Sequence, residues 1–222
     1  MGKGAAALVP ASAHSGPERG SAPVQSRVLN LTFDLFGRVV PLSMGTARTN
    51  SHMLKLLGGD PEFHEPNSEP VPESLVDKLS EGFKVVDGCV VPSSFQAALI
   101  WSEERPRTNN FDDETAVECS LSKVYLEDFV DTPVPLAELA RIGCAYAMYL
   151  RKALLESQVL GSFRIIVDAQ LPDPELHVGN AACSVRFHKV RPNQSWLVDD
   201  LESYKENALW VFEFEKKMLH AD

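Results

Sequence analysis

The segment PLAELARIGCAYAMYLRKALLESQVLGSFRIIVDA, residues 135–169, decides the fold, because a helix pattern in it leads directly into a strand pattern. Its first part, from Pro135 to about Ser157, begins with proline and has an acid near its start and bases near its end, so it is predicted to be a helix. Its apolar residues cover an arc wider than one stripe, which predicts that the helix packs centrally against a sheet. These residues are Leu136, Leu139, Ile142, Tyr146, Tyr149, Leu150 and Leu154.

Three strands are predicted after this helix, because apolar residues recur with period two over Phe163–Ala169, Ala182–Lys189 and Leu209–Glu215. Antiparallel strands with one face in the core show this alternation. We therefore predict an α+β fold, in which an antiparallel sheet, formed mainly by the C-terminal half, is covered on one face by the long central helix. The predicted core face carries Phe163, Ile165, Val167, Cys183, Val185, Phe187, Trp210, Phe212 and Phe214.

A small helix–hairpin–helix module is predicted alongside this sheet, over residues 72–104. Its first helix runs from Pro72 to Glu81, between a proline and a glycine. Asp87-Gly88 then joins two short apolar runs, and this dipeptide favours a type I′ hairpin turn. A capping box that begins at Ser93 predicts the second helix, which ends at about Glu104.

Residues 115–130 fit two patterns. Val117, Cys119 and Leu121 alternate as in a strand. The apolar residues from Leu121 to Phe129 recur as in a helix. We favour a strand followed by a helical turn.

The N-terminal third is predicted to contain two segments outside this domain. Residues 1–27 are rich in Ala, Ser, Gly and Pro, and we expect them to be disordered because they cannot bury enough apolar surface to offset the entropy of ordering. Residues 28–70 are predicted to hold a hairpin, because apolar and polar residues alternate from Leu29 to Leu35. A linker rich in the helix- and strand-breaking residues glycine and proline follows it. Residues 71–222 are predicted to form a single α+β domain.

The net charge of −10 bears on the class of partner. A strongly negative surface repels phosphate backbones, so nucleic-acid binding is not predicted. A basic protein is the complementary partner, because opposite fields steer encounter, although the charge could also serve solubility alone. The chain has no run of eighteen apolar residues, so neither a membrane span nor a membrane partner is predicted.

Neither a cofactor nor a metal is predicted, because the chain has no C-x-x-C or H-E-x-x-H spacing, no phosphate-binding glycine loop and no G-x-S-x-G elbow. Most of the four cysteines have apolar neighbours, which is typical of buried thiols in a reducing compartment. We therefore predict a cytoplasmic protein. The Ala/Ser/Arg bias of residues 1–52 leaves an organelle-targeting segment as the alternative.

An acidic triplet, Asp112-Asp113-Glu114, lies in the most negative part of the chain. Such a cluster attracts a basic partner during encounter, so all three residues are predicted to be partner-binding. They could also hold a hard cation, but a calcium loop alternates its ligands and contains a turn glycine, which this stretch lacks.

A second candidate region is residues 191–204, called here the connecting segment, which joins two predicted strands and is long for that purpose. Its aromatic, arginine and acidic residues form the mixture typical of interface hot spots. Alternatively, Ser195 or Asp199 caps a short helix over residues 197–205, and Trp196 closes the edge of the core. The predicted partner-binding residues are Arg191, Trp196, Asp199, Asp200 and Tyr204.

The sheet face opposite the core is the candidate site for an enzyme. His188 could act as a general base, oriented by Asp168 or Glu213, while arginines such as Arg186 hold an anionic substrate. Alternatively, this face carries only cross-strand charge pairs exposed to solvent. Its residues are Arg164, Asp168, Ser184, Arg186, His188, Glu213 and Glu215.

The sequence thus supports two classes of function. The first is a non-enzymatic acidic binding protein that engages a basic protein, in the manner of an inhibitor or a toxin-immunity protein. The second is a small hydrolase or transferase that uses a His188/Asp168 or His188/Glu213 pair. The lack of any known catalytic signature favours the first.

Overall fold

A computed structural model describes residues 26–27, 31–33, 39–41, 45–59, 71–94, 113–171 and 182–217 of the 222-residue chain. The helices in these ranges are α1 (Ser51–Leu57), α2 (Glu73–Ser80), α3 (Glu114–Leu121) and α4 (Leu136–Glu156). The strands are β1 (Ser26–Arg27), β2 (Leu31–Phe33), β3 (Val39–Pro41), β4 (Thr46–Thr49), β5 (Phe83–Val86), β6 (Cys89–Pro92), β7 (Val124–Tyr125), β8 (Gly161–Gln170), β9 (Ala182–Lys189) and β10 (Asn207–Lys216). Two short 3₁₀ turns cover Leu126–Phe129 and Leu201–Ser203.

The main sheet confirms the predicted α+β fold. Its six strands lie in the order β1-β4-β10-β8-β9-β7, and every pairing is antiparallel. The three predicted C-terminal strands form its centre, with β10 paired to β8 along ten residues and β8 paired to β9 along eight. Two separate hairpins, β2–β3 and β5–β6, accompany this sheet.

Helix α4 covers one face of the sheet, as predicted. All nine residues of the predicted core face are at most 3% exposed, and burying an apolar side chain of this size contributes about 1.5–3 kcal/mol. The helix lies very close to the sheet at Gly143, where an added Cβ would lie 2.9 Å from Val167 Cγ1 and 3.3 Å from Cys183 Sγ. A glycine at this position therefore lets α4 lie directly on the strands.

The β5–β6 hairpin has the predicted turn. Asp87 and Gly88 both have positive φ angles, of 50° and 82°, as a type I′ turn requires. Helix α2 before it also matches the prediction, with Leu75 and Leu79 buried. The second helix of the predicted module, residues 93–104, lies almost entirely outside the described residues.

The strand predicted within residues 115–121 is wrong, because this segment is helix α3. Asp113 begins the helix, since its extended backbone lets the side chain accept a hydrogen bond from the Ala116 N–H at 2.8 Å. Val117 and Leu121 pack near Cys89 and Val91 of β6, so their alternation with Cys119 does not reflect a strand. The predicted helical turn is present further on, as the 3₁₀ turn at Leu126–Phe129.

The predicted linker contains two elements of the main fold. The hairpin expected after residue 28 is present as β2–β3, but residues 46–57 form β4, which pairs with β10, and α1. Asn50 lies between them, is fully buried and caps α1 by accepting a hydrogen bond from the Met53 N–H at 3.0 Å. The remainder of the linker, residues 60–70, lies outside the described residues, as do residues 1–25 of the predicted tail.

Side chains cover the edge of the sheet along β9, where the two-residue strand β7 pairs only with Ser184 and Val185. Alternate N–H groups of an edge strand point away from the sheet. The N–H of Cys183 donates to Glu127 Oε2 at 3.1 Å, that of Phe187 to Ser122 Oγ at 2.9 Å, and that of Lys189 to a Glu118 carboxylate oxygen at 2.7 Å. The outward N–H groups on both sides of β7 are therefore satisfied from within the chain.

Candidate functional site

The connecting segment folds back over the sheet face that lies opposite α4. Two of its leucines, Leu197 and Leu201, are buried there in a second apolar cluster. The sheet contributes the rest of this cluster from β8 and β10, and Tyr204 packs against it. The buried sheet residues of the cluster are Ile166, Leu209 and Val211.

The sheet face predicted to be open to solvent is therefore covered along β9, whereas Glu215 of β10 is exposed. Ser184, Arg186 and His188 of β9 are only 5%, 7% and 1% exposed. Their alternation with apolar residues correctly placed them opposite the core. The alternation did not predict that this part of the face is covered, because only two leucines in the connecting segment indicate burial.

The structure does not bring His188 together with either predicted carboxylate. Its cross-strand neighbour is Arg164, and its Nδ1 lies 3.0 Å from the Lys189 carbonyl oxygen. Asp168 instead accepts a hydrogen bond from Asn207 at 2.7 Å and pairs with Arg186 at 3.6 Å. Glu213 pairs with Arg164 at 2.6 Å.

We expect His188 to make the fold less stable as the pH falls. Burial disfavours the charged imidazole and lowers the pKa of His188 below its ordinary value of 6.5. The positive charges of nearby Arg164 and Arg191 also lower this pKa. The unfolded chain binds the proton with the ordinary pKa, so the stabilisation is complete above about pH 6.5 and is lost as the pH falls below it, by up to about 1.4 kcal/mol per pH unit. Urea unfolding of the wild type and of His188→Gln between about pH 8 and about pH 5 measures this slope.

The His188→Gln variant should lose less stability over this pH range than the wild type. His52→Gln, at a half-buried histidine of α1, is the control and should keep the wild-type slope. Equal slopes for the wild type and His188→Gln would contradict the assignment.

A buried ion pair holds the start of the connecting segment. Glu118 of α3 is fully buried, and each of its two oxygens accepts a hydrogen bond from the Arg191 guanidinium at 2.7 Å. The same carboxylate accepts from the N–H groups of Val90 at 2.6 Å and Lys189 at 2.7 Å. Arg191, predicted to contact a partner, thus forms with Glu118 a pair that joins α3, β6 and β9 within the chain.

One acid of the triplet, Glu114, contacts the connecting segment in the structure. Asp113 is the cap of α3, and Glu114 accepts a hydrogen bond from Gln194 Nε2 at 2.7 Å. Gln194 in turn accepts from the Thr115 hydroxyl at 3.1 Å. Asp112 lies outside the described residues. Since two of the three acids hold the fold together, replacing them would disturb stability as well as charge, at a typical cost of about 1 kcal/mol for the cap alone.

Four of the exposed side chains of the connecting segment are called here the Trp196 surface: Trp196, Val198, Asp199 and Asp200. Trp196 is 37% exposed and Val198 55% exposed. The inner side of the indole lies over Arg186, with 5.3 Å between the guanidinium carbon and the ring centroid. Trp196 therefore packs on the protein with one side and is accessible to solvent on the other.

The helix proposed for residues 197–205 is reduced to the 3₁₀ turn at Leu201–Ser203. Its cap is Asp200, which accepts a hydrogen bond from the Glu202 N–H at 3.1 Å, and neither Ser195 nor Asp199 has this role. The Tyr204 hydroxyl accepts from the Val198 N–H at 3.1 Å and so fixes the backbone under the Trp196 surface.

Two contacts of the site come from residues that the sequence placed in the linker. Arg48 of β4 donates to the Asp199 carbonyl at 3.3 Å and lies 3.5 Å from Glu213. Ser51 of α1 donates to Glu202 through both its N–H and its hydroxyl, each at 2.7 Å. These partners lie about 150 residues apart along the chain, and no local pattern marks them.

The comparisons with known proteins give one match. A family model described as "Uncharacterized protein PM0498 family" matches residues 48–218, which is more than half of the chain. No curated protein and no solved structure matches. Within the described ranges, no three His, Cys, Asp or Glu residues are grouped as metal ligands would be, and no helix has the length and apolarity needed to cross a membrane.

Proposed function

The chain belongs to the Uncharacterized protein PM0498 family, and we propose that it is a non-enzymatic binding protein that engages a basic protein partner through the Trp196 surface. The observation that carries this proposal is that the connecting segment is anchored at many points and still exposes an aromatic and an aliphatic side chain. An inhibitor or immunity protein acts by binding of this kind.

Anchoring of the segment supports binding, because less conformational entropy is then lost when a partner docks. Leu197 and Leu201 are buried beneath the segment, and Arg191 and Gln194 attach its beginning to α3. Exposed apolar residues on such a fixed segment present contact area in a single geometry. Aromatic residues of this type are enriched among interface hot spots.

The chemistry of the Trp196 surface suggests what the partner presents. Arg186 already lies against the inner side of the indole, so a second cation on the outer side would compete with it for the same π electrons. An apolar side chain is the better contact for the outer side of Trp196 and for Val198. The carboxylate of Asp199 lies 3.8 Å from Arg48, but its side chain is 95% exposed, so it would also pair with a lysine or arginine of the partner.

The enzyme alternative receives less support from the geometry. His188 is 1% exposed, and both candidate carboxylates are engaged by arginines. The nearby thiol of Cys119 is not a ready nucleophile either, because burial raises its pKa to about 12. A cytoplasmic location is part of our proposal, and the four free thiols of the chain agree with it.

We expect Trp196→Ala to weaken partner binding much more than folding. Loss of a hot-spot tryptophan reduces binding by about 2 kcal/mol, or roughly thirtyfold in Kd. The free energy of unfolding should fall by only about 1 kcal/mol, because the residue is partly exposed and its packing on Arg186 is what is lost. Binding is measured with a panel of peptides in which one apolar residue is flanked by lysines or arginines, and stability by urea unfolding.

Tyr125→Ala is the matched control for this variant. Tyr125 is an aromatic residue of β7 that is 44% exposed and has Lys123 over its ring, at 4.1 Å from the centroid. It should bind the peptides as the wild type does. A loss of about 3–5 kcal/mol in stability for Trp196→Ala, which is typical of a core aromatic residue, would exclude Trp196 from the surface, and equal binding losses in both variants would exclude a local site.

Charge is tested separately with Asp199→Asn. This variant should slow association with the basic peptides, and the slowing should disappear as ionic strength rises, because screening removes the attraction. Asp128→Asn, at the exposed residue of the 3₁₀ turn after β7, changes the net charge equally and serves as the control. The same slowing in both variants would mean that only the overall charge matters.

A further inference from the structure

Two buried nitrogen atoms on β9 have no hydrogen-bond partner among the described residues. They are Arg186 Nε and His188 Nε2, on side chains that are 7% and 1% exposed. A buried polar atom left without a partner costs about 1–3 kcal/mol, and such atoms are rare in folded proteins. Two of them on one strand require a common explanation.

The two nitrogen atoms are complementary to each other. Arg186 Nε always carries a hydrogen and can only donate. His188 Nδ1 faces the Lys189 carbonyl oxygen at 3.0 Å, and since a carbonyl can only accept, the hydrogen of the neutral ring is on Nδ1. His188 Nε2 then has a lone pair and can only accept. The desolvation that lowers the pKa of His188 favours this neutral form.

Their placement allows one atom to serve both. Residues 186 and 188 point to the same face of β9, because side chains alternate along a strand, and their Cα atoms are about 6.6 Å apart. Two hydrogen bonds of about 2.9 Å that meet at one oxygen atom at a tetrahedral angle join atoms roughly 4.7 Å apart, and both side chains are long enough to bring their nitrogen atoms to that separation. The connecting segment covers this position, with Ser195 accepting a hydrogen bond from Arg164 at 3.2 Å and Trp196 lying over Arg186.

The charges around this position exclude other kinds of ligand. An anion would have to displace the carboxylates that already pair with the arginines, Asp168 with Arg186 and Glu213 with Arg164. It would also face the lone pair of His188 Nε2. A metal cation would be repelled by the two guanidinium groups, so a neutral group that both accepts and donates remains.

We propose that Arg186 and His188 form a binding site for a hydroxyl oxygen, which accepts a hydrogen bond from Arg186 Nε and donates one to His188 Nε2. The O–H group belongs either to an internal water molecule or to the hydroxyl of a small polyol-type ligand enclosed under Trp196. Buried waters are held by two to four polar partners of this kind. The site is separate from the Trp196 surface, since it lies on the inner side of that residue.

The experiment is NMR spectroscopy of the full chain labelled with ¹⁵N and ¹³C in histidine. In the wild type, the ¹⁵N resonance of His188 Nε2 should be shifted upfield from the position of a neutral imidazole lone pair without a hydrogen bond. The ring proton next to it should give a cross-peak to an O–H proton that exchanges slowly with solvent. His52 on α1 is half-buried and provides the internal control, which should give no such cross-peak.

The variant Arg186→Lys keeps the charge but removes the Nε–H donor, so the cross-peak and the upfield shift should both be lost. A cross-peak that persists in Arg186→Lys would overturn the role of Arg186. A wild-type Nε2 resonance at the position of a free lone pair, without the cross-peak, would overturn the proposal by itself, even if the variant does not fold.

Refolding separates the two sources of the O–H group. The labelled wild type is unfolded, dialysed and refolded in buffer free of small organic molecules. A cross-peak that returns identifies water, and a cross-peak lost on refolding and restored by the dialysed small molecules identifies a ligand. A cross-peak that neither returns in buffer nor is restored by those molecules would overturn the site.

Discussion

Replacing Glu118 by glutamine is expected to lower the free energy of unfolding by about 3–5 kcal/mol, the cost of breaking a buried ion pair from one side. The carboxylate accepts four hydrogen bonds, two from Arg191 and one each from the N–H groups of Val90 and Lys189. A glutamine side chain has one oxygen and one NH₂ group. Its NH₂ group would therefore lie against N–H donors whose hydrogen bonds it cannot accept. Arg191, whose side chain is only 15% exposed, would be left without a counter-charge.

Urea unfolding of Glu118→Gln gives the stability change, and Glu156→Gln is the control. Glu156 also pairs with a base, Lys152 at 4.0 Å, but both side chains are about 70% exposed. An exposed pair of this type contributes about 0.3–0.5 kcal/mol. If Glu118→Gln costs no more than Glu156→Gln, then the buried pair does not stabilise the connection between α3 and the connecting segment.

The second large effect is expected for Asn50→Asp, with a loss of about 3 kcal/mol or more. The amide oxygen of Asn50 accepts hydrogen bonds from the N–H groups of Met53 and Leu209, each at 3.0 Å. Its amide nitrogen donates to the carbonyl oxygens of Asn207 at 2.8 Å and Leu201 at 3.4 Å. An aspartate of the same shape cannot donate, so it would bring a buried charged oxygen against two carbonyl oxygens, and unsatisfied charged groups cost more than neutral ones.

Asn193→Asp is the control for this substitution, because it makes the same chemical change at an exposed residue of the connecting segment. Asn193 has a φ angle of 61°, a conformation that asparagine and aspartate both tolerate. Its expected effect is within about 0.5 kcal/mol. Thermal or urea unfolding that gave equal values for both variants would mean that the amide of Asn50 does not join α1 to β10.

The long elements of the fold were predictable because their patterns extend over enough residues. Helix α4 covers 21 residues and strands β8, β9 and β10 cover eight to ten each, so the period is expressed several times. Strand β4 and helix α1 have only four and seven residues. They are stabilised by Asn50 through contacts with residues more than 150 positions away, which no local pattern contains.

The residues of the candidate site were predictable from the sequence, but the contacts between them were not. The sequence selected the connecting segment and the acidic triplet separately, from residue types that are unusual together. The hydrogen bonds of Gln194 and Arg191 to α3 depended on α3 being a helix, which the period-two pattern of Val117 and Leu121 concealed. The polar face of β9 was assigned to the correct side of the sheet, and its cover was missed.

The side chains along the edge of β9 also have a consequence for self-association at high concentration. A free strand edge can nucleate the growth of intermolecular sheets, in which each added chain copies the backbone of the last. Glu127, Ser122 and Glu118 occupy the N–H groups of Cys183, Phe187 and Lys189 that a second chain would need. These three polar residues thus protect the edge of β9 against pairing with a second chain, and a substitution there would speed aggregation of the protein even where the folded state survives.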